Sequence, residues 1–229
     1  MLFKTIKEMF SAPDPAASNE AREAALEARL EELAASIAPI QGWLDKEAGK
    51  FLYRMARFGA PVPNVVELGS WKGRSTAWLA SGVRDRGAGR VYAVDTWKGT
   101  EGEPILEDLL TGYGEGQLYR EFASNLESRG LLEFVEPVRS DTLTAARNWD
   151  PAKKIGVLFI DADHSYQAVR ADFEFWSPYV EVGGFVVFDD VPGYWGPSRL
   201  ATELPKWYSM AGMSPNNFIF IKTGYEAVS

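Results

Sequence analysis

The chain reads as an α/β protein built on a mostly parallel sheet, and three observations predict this. Short apolar runs recur with an acidic residue at or near each end: Val65-Val66-Glu67-Leu68, Val91-Tyr92-Ala93-Val94-Asp95 and Ile155 to Ile160 followed by Asp161. The uninterrupted run Ile155 to Ile160 is typical of a parallel strand buried on both faces. The stretches between them carry helical spacing, which is the strand-helix alternation of a parallel sheet. Glycines stand where a strand hands over to a helix (Gly69, Gly73) or a helix to a strand (Gly183-Gly184). At 229 residues the chain is long enough for one such domain with a full core.

The other elements are organised around the first of these strands. It runs into Gly69-Ser70-Trp71-Lys72-Gly73 and then into Ser75-Thr76-Ala77-Trp78, which opens a helix. Glycine lets backbone pass close to a ligand where a Cβ would collide. Ligands of open α/β sheets sit beyond the carboxyl ends of the strands. The spacing is Gly-x-x-x-Gly rather than the Gly-x-Gly-x-x-Gly that grips a pyrophosphate. A looser turn beside Glu67 suits a ligand with no phosphate and a positive end, such as S-adenosylmethionine.

Composition narrows the function classes. A net charge of −8 argues against a nucleic-acid partner, whose phosphates need clustered Lys and Arg. No apolar run approaches the roughly 20 residues of a membrane span. The N-terminus lacks the apolar core and cleavage site of a secretion signal, so a cytoplasmic location is expected. Cysteine is absent and His164 is the single histidine, which removes thiolate chemistry and His₃ zinc. Any metal should therefore be hard and oxygen-ligated.

In order, residues 1–10 form a short amphipathic piece before a break at Pro13 and Pro15. A helix is predicted over Ser18 to Ile37, with Leu26, Leu30, Leu33 and Ile37 on one stripe. A second runs from Leu44 to Phe58. This helical extension, 1–58, is expected to cover the sheet or to meet a second subunit in a homo-oligomer. After the second strand, residues 98–118 are rich in glycine and read as a substrate lid. Gln117 to Arg129 read as helix and Leu132 to Val138 as the third strand. Ser140-Asp141-Thr142 follows, where it can reach an adenine amino group. The fifth strand is Phe185 to Phe188 and the sixth Phe218 to Lys222. Between Leu200 and Pro215 no strand pattern stands out.

Chemistry concentrates at two strand ends. The fourth strand delivers Asp161-Ala162-Asp163-His164, and the fifth ends in Asp189-Asp190 before Val191-Pro192-Gly193. Carboxylates this close repel one another unless one protonates or a cation joins them. Asp189 and Asp190 face opposite sides of a regular strand, so both can hold one ion only if the chain turns there. Asp161, Asp189 and Asp190 are the candidate ligands of Mg²⁺ or another hard divalent cation. Ser165 is a fair N-cap for a helix whose Tyr166, Val169, Phe173 and Trp176 share one face. An adenosine ribose would find its acceptor in Asp95.

Val-Glu-Leu-Gly-Ser-Trp-Lys-Gly-Arg-Ser, Val-Tyr-Ala-Val-Asp-Thr-Trp, Ile-Asp-Ala-Asp-His-Ser-Tyr and Gly-Gly-Phe-Val-Val-Phe-Asp-Asp-Val together resemble the class I S-adenosylmethionine-dependent methyltransferases. Within them they are most similar to the metal-dependent O-methyltransferases of macrolide and aminocoumarin sugar hydroxyls, the macrocin O-methyltransferase type. The resemblance covers roughly residues 43–192. It implies one three-layer Rossmann-like domain with a seven-stranded sheet of order 3-2-1-4-5-7-6. It further implies a cofactor surface made by Glu67, Gly69, Ser70, Trp71, Ser75, Asp95, Thr96, Trp97, Ser140, Asp141, Thr142 and Asp161. Asp161, Asp189 and Asp190 would hold the cation. Either Asp163 or His164 would be the base, and His164 is favoured because its ordinary pKa suits neutral pH. The acceptor would be a hydroxyl of a small molecule, a sugar or another natural product. Two other readings stand beside this one: a nicotinamide-dependent oxidoreductase, and a catalytically silent binding module on the same fold.

Overall fold

The computed structural model describes residues 18–99 and 104–225. The amphipathic segment 1–10 and the proline break after it lie outside the described residues. Seven strands form one sheet: β1 (Val65–Leu68), β2 (Val91–Asp95), β3 (Val135–Arg139), β4 (Ile155–Ile160), β5 (Val180–Phe188), β6 (Tyr208–Ser214) and β7 (Asn217–Lys222). Their order is β3-β2-β1-β4-β5-β7-β6, as the resemblance implies. Every pair from β3 to β5 is parallel, whereas β7 joins β5 and β6 antiparallel. The strand the sequence hid is β6, an edge strand with a register irregularity between Met210 and Gly212 that breaks its alternation.

Helices cover both faces, and the pleat decides which residues meet them. Val65, Val157 and Phe159 pack on one side with Leu30, Leu52, Trp78 and Phe122. Val66, Leu68, Leu158 and Ile160 pack on the other with Ala146, Val169 and Trp176. The first layer holds α1 (Asn19–Ile37), α2 (Lys46–Arg54), α3 (Arg74–Arg86), a short α4 (Pro104–Leu109) and α5 (Gln117–Glu127). The second holds α6 (Thr142–Arg147), α7 (Tyr166–Trp176) and α8 (Trp195–Ala201).

The predicted stripe Leu26, Leu30, Leu33 and Ile37 is buried within the chain itself, in the core cluster that also holds residues of α2 and α3. Ser18 caps α1 by accepting from Ala21 N–H at 3.2 Å, and Asp45 caps α2 by accepting from Glu47 N–H at 2.7 Å. A Cβ at Gly49 would stand 2.2 Å from the Trp78 ring, so α2 lies directly on α3. The segment read as a lid carries α4 and a turn ending at Gly116, with residues 100–103 outside the described set. Among the described residues no helix is long and apolar enough to cross a membrane.

Candidate functional site

Parallel register builds the site. Leu68 pairs with Val94 on one side and Ile160 on the other, and Ile160 pairs with Phe188. The next residue of each strand therefore falls in one row at the carboxyl edge: Asp95, Gly69, Asp161 and Asp189. Backbone bonds step across it: Gly69 N–H to Val94 O (3.0 Å), Asp161 N–H to Leu68 O (2.9 Å) and Asp189 N–H to Ile160 O (3.1 Å).

At the centre, Gly69 has φ +84°, and a Cβ there would lie 2.0 Å from the Asp161 carbonyl oxygen. The sequence reading gave this glycine to ligand access. The structure shows the approach it permits is to the backbone of β4's end. Gly73, with φ +88°, faces Phe122 of α5 and opens α3.

Glu67 is fully buried on the α3 side of the sheet. Its Oε2 accepts from Ser70 Oγ at 2.7 Å and from Thr76 Oγ1, while Oε1 has no partner among the described residues. Burial pushes its pKa up to about 7 against the lowering effect of the Ser75, Thr76 and Ser70 hydroxyls. Asp95 turns back onto the glycine loop. Its Oδ2 accepts from Ser70 and Trp71 N–H (both 2.9 Å) and its Oδ1 from Trp97 N–H (2.6 Å). Burial raises its pKa, opposed by these bonds. Each carboxylate oxygen accepts more than one donor, so Oδ1 keeps room for a hydroxyl.

The other half of the row is charged and crowded. Asp161, His164 and Asp190 each offer a ligand atom within 4.8 Å of the others. His164 Nε2 lies 2.7 Å from Asp190 Oδ2 and 3.9 Å from Asp161 Oδ1. Neither approach has hydrogen-bond alignment, so each is an ion pair when His164 is protonated. Burial alone would lower the His164 pKa, but Asp161 and Asp190 outweigh it and push it up to about 10. Burial, then neighbouring carboxylates, push Asp161 and Asp189 up as well. Asp190 sits at φ +60° and its carbonyl accepts from Tyr194 N–H at 2.8 Å, which is the turn the sequence required. This donor set fits a hard divalent cation, because a double positive charge would resolve repulsion that one imidazolium only partly offsets.

Not every predicted residue joins the row. Asp163 is exposed, and its Oδ1 accepts from Ser165 N–H at 2.7 Å, so it shapes the start of α7 rather than the carboxylate cluster. Ser165 caps α7 through Ala168 N–H at 3.3 Å. The Thr142 hydroxyl bonds to buried Asp172, which ties α6 to α7. Asp141, exposed, caps α6 by accepting from Thr144 N–H at 2.8 Å. Trp97 is core, in contact with Tyr119 and Phe122, and donates Nε1–H to Trp71 O at 3.0 Å. Ser75 is buried beside Glu67, Thr96 Oγ1 accepts from Lys98 N–H, and Ser140 N–H donates to Asp95 O. Asp189 stands next to the three-residue cluster, with Oδ1 bonded to Asp190 N–H and to the Asn217 side chain.

Sequence reasoning missed Asn217 and Lys72. Asn217 opens a hairpin strand with no motif around it. Lys72 Nζ binds Gln41 Oε1 and Tyr113 OH (both 2.6 Å) and Glu121 (2.9 Å), joining the loop before α2, the glycine turn, the lid segment and α5. Its place inside the glycine motif was the available signal. A cavity of about 140 Å³ lined by Arg29, Ser36, Ser81, Arg84 and Arg129 shares no residue with the row. Those guanidinium groups already bind Asp85, Glu32 and main-chain carbonyls, so the row is the better candidate.

A family model described as "Methyltransferase domain" matches residues 66–191, which span β1 through the turn after β5. A protein of Acanthamoeba polyphaga mimivirus is 37% identical over 76 residues, 28% of this chain and 34% of that relative. The chain spans less than two thirds of the curated relatives it matches, 13% of a second one. An O-methyltransferase from Bacillus cereus in complex with SAH superposes with TM-score 0.57 at 23% identity, covering 88% of this chain and 91% of that one. TomG from Streptomyces achromogenes, an O-methyltransferase involved in tomaymycin synthesis and solved with SAM, gives 0.58 at 16% identity, covering 95% and 94%. At these identities the two structures establish a shared fold. With more than half its length matched by the family model and the strand order in agreement, the chain belongs to the methyltransferase-domain family.

Proposed function

We propose that the protein is an S-adenosylmethionine-dependent, divalent-cation-assisted O-methyltransferase acting on a small molecule with two neighbouring oxygens, a sugar or another natural product. The observation that carries this reading is the single row Asp95, Gly69, Asp161 and Asp189, which sets a neutral-donor half beside a carboxylate half. The two bound groups would supply an electrophilic sulfonium methyl and a Lewis acid that lowers the acceptor's pKa.

The chain's own residues have distinct tasks in this reading. Glu67 Oε1, buried and unpartnered, accepts from the ammonium end of the cofactor. Asp95 Oδ1 takes a ribose hydroxyl and Asp141 the adenine amino group. Asp161, Asp189 and Asp190 hold the cation. His164 Nε2 would receive the acceptor's proton, and a cation held by Asp161 and Asp190 would take over as their counter-charge. Tyr194, its ring 4.2 Å from that of His164, and exposed Trp195 line the acceptor side. Most of the rate then comes from holding acceptor oxygen and methyl in line.

Calorimetry with SAH and with NADH tests the reading. SAH is expected to bind, and Mg²⁺ is expected to be required for turnover. Binding of NADH without SAH would favour the oxidoreductase, and SAH binding without turnover on any diol would favour the silent module.

A further inference from the structure

Asn217 is 1% exposed at the first position of β7, directly behind the strand end that carries Asp189. Its Nδ2 donates to Asp189 Oδ1, the same oxygen that accepts from Asp190 N–H at 2.9 Å. Its own Oδ1 is buried with no partner among the described residues. The hairpin that presents it is tied to the same turn: Val191 N–H donates to Asn216 O at 3.0 Å, and Asn216 sits at φ +60°.

This arrangement is a poor one for stability. A buried amide with an unpaired carbonyl detracts from folding. What the amide achieves is directional. With Oδ1 of Asp189 engaged by two donors, Oδ2 takes neither of them, and the Asp189 carboxyl also lies within hydrogen-bond reach of Asp161. Groups behind the ligands commonly fix ligand orientation in metal sites. Resting on the cation-assisted reading above, we propose that Asn217 is a positioning residue for the cation site, orienting Asp189 so that Oδ2 serves as its single ligand atom.

Mn²⁺ titration of the full chain, followed by the loss of the free-ion paramagnetic resonance signal, tests this. Asn217→Leu and Asn217→Ala are expected to weaken Mn²⁺ binding by about 10–100-fold, with SAH affinity unchanged. The two variants guard against one failing to fold. Unchanged Mn²⁺ affinity in either folded variant overturns the proposal while leaving the cation reading intact. Absence of Mn²⁺ binding in the parent protein overturns both.

Discussion

The two halves of the strand-end row treat their carboxylates in opposite ways. On the β1–β2 side, Asp95 in the row and Glu67 just behind it in β1 are held by neutral donors, main-chain N–H groups for the first and hydroxyls for the second. On the β4–β5 side, Asp161, Asp189 and Asp190 face one another with the His164 imidazole beside them. Neutral donors leave a site nearly complete in itself, whereas mutual repulsion leaves one whose charge balance depends on what binds. The same sheet edge thus carries a preformed half and a responsive half.

The sharpest way to break this contrast is His164→Ala. It should lower kcat by about 10²–10⁴-fold, the usual range for losing a general base, while SAH affinity stays level because the neutral-donor half is untouched. Steady-state kinetics alongside calorimetry would read both. A parallel fall in SAH affinity would mean that the halves are not separate.

A smaller effect should appear in the pH dependence of melting. The folded pKa of His164, about 10, lies above its ordinary 6.5, so its ion pairs stabilise fully below pH 6.5 and are lost as pH rises through 10. Asp161 and Asp189 are also raised, so the folded state keeps protons that the unfolded chain releases. In chelator, Tm should therefore fall as pH rises from 3.8, where the unfolded carboxylates begin to release protons, to about 10. Mg²⁺ binding should displace those protons, and its gain in Tm should grow with pH. A gain that shrank with pH would contradict the assignment of the cation to this cluster.

The smallest effect is expected at Asp163. Asp163→Ala should cost about 0.5–1 kcal/mol through the start of α7, in the range of capping losses, and leave kcat within error. An inactive Asp163→Asn with its cation still bound would instead make Asp163 the base and reduce His164 to a lining residue.

Much of this site was legible in the sequence, for a specific reason. A strand buried on both faces is nearly continuous in apolar residues, so the polar residue just past the run marks the carboxyl edge, Glu67 inside β1 being the exception. That rule locates Asp95, Asp161 and Asp189, and the Gly69 turn beside them. It works without knowing any contact, because register in a parallel sheet follows once the order is known. The same rule fails at the antiparallel edge. β6 is half exposed, its Met210 and Met213 lie in solvent, and its irregular register erases the two-residue period.

What the sequence by itself determined is the layered fold, the strand order implied by resemblance, and which residues stand at the strand ends. Only the tertiary structure decided where those side chains turn. Asp163 and Thr142 occupy strand-end positions as favourable as those of their neighbours, yet one shapes a helix start and the other binds Asp172. Asn217 reaches Asp189 from a hairpin 28 residues away in the chain. A side chain's direction depends on the nearest donor in space, and pattern along the chain carries no record of it.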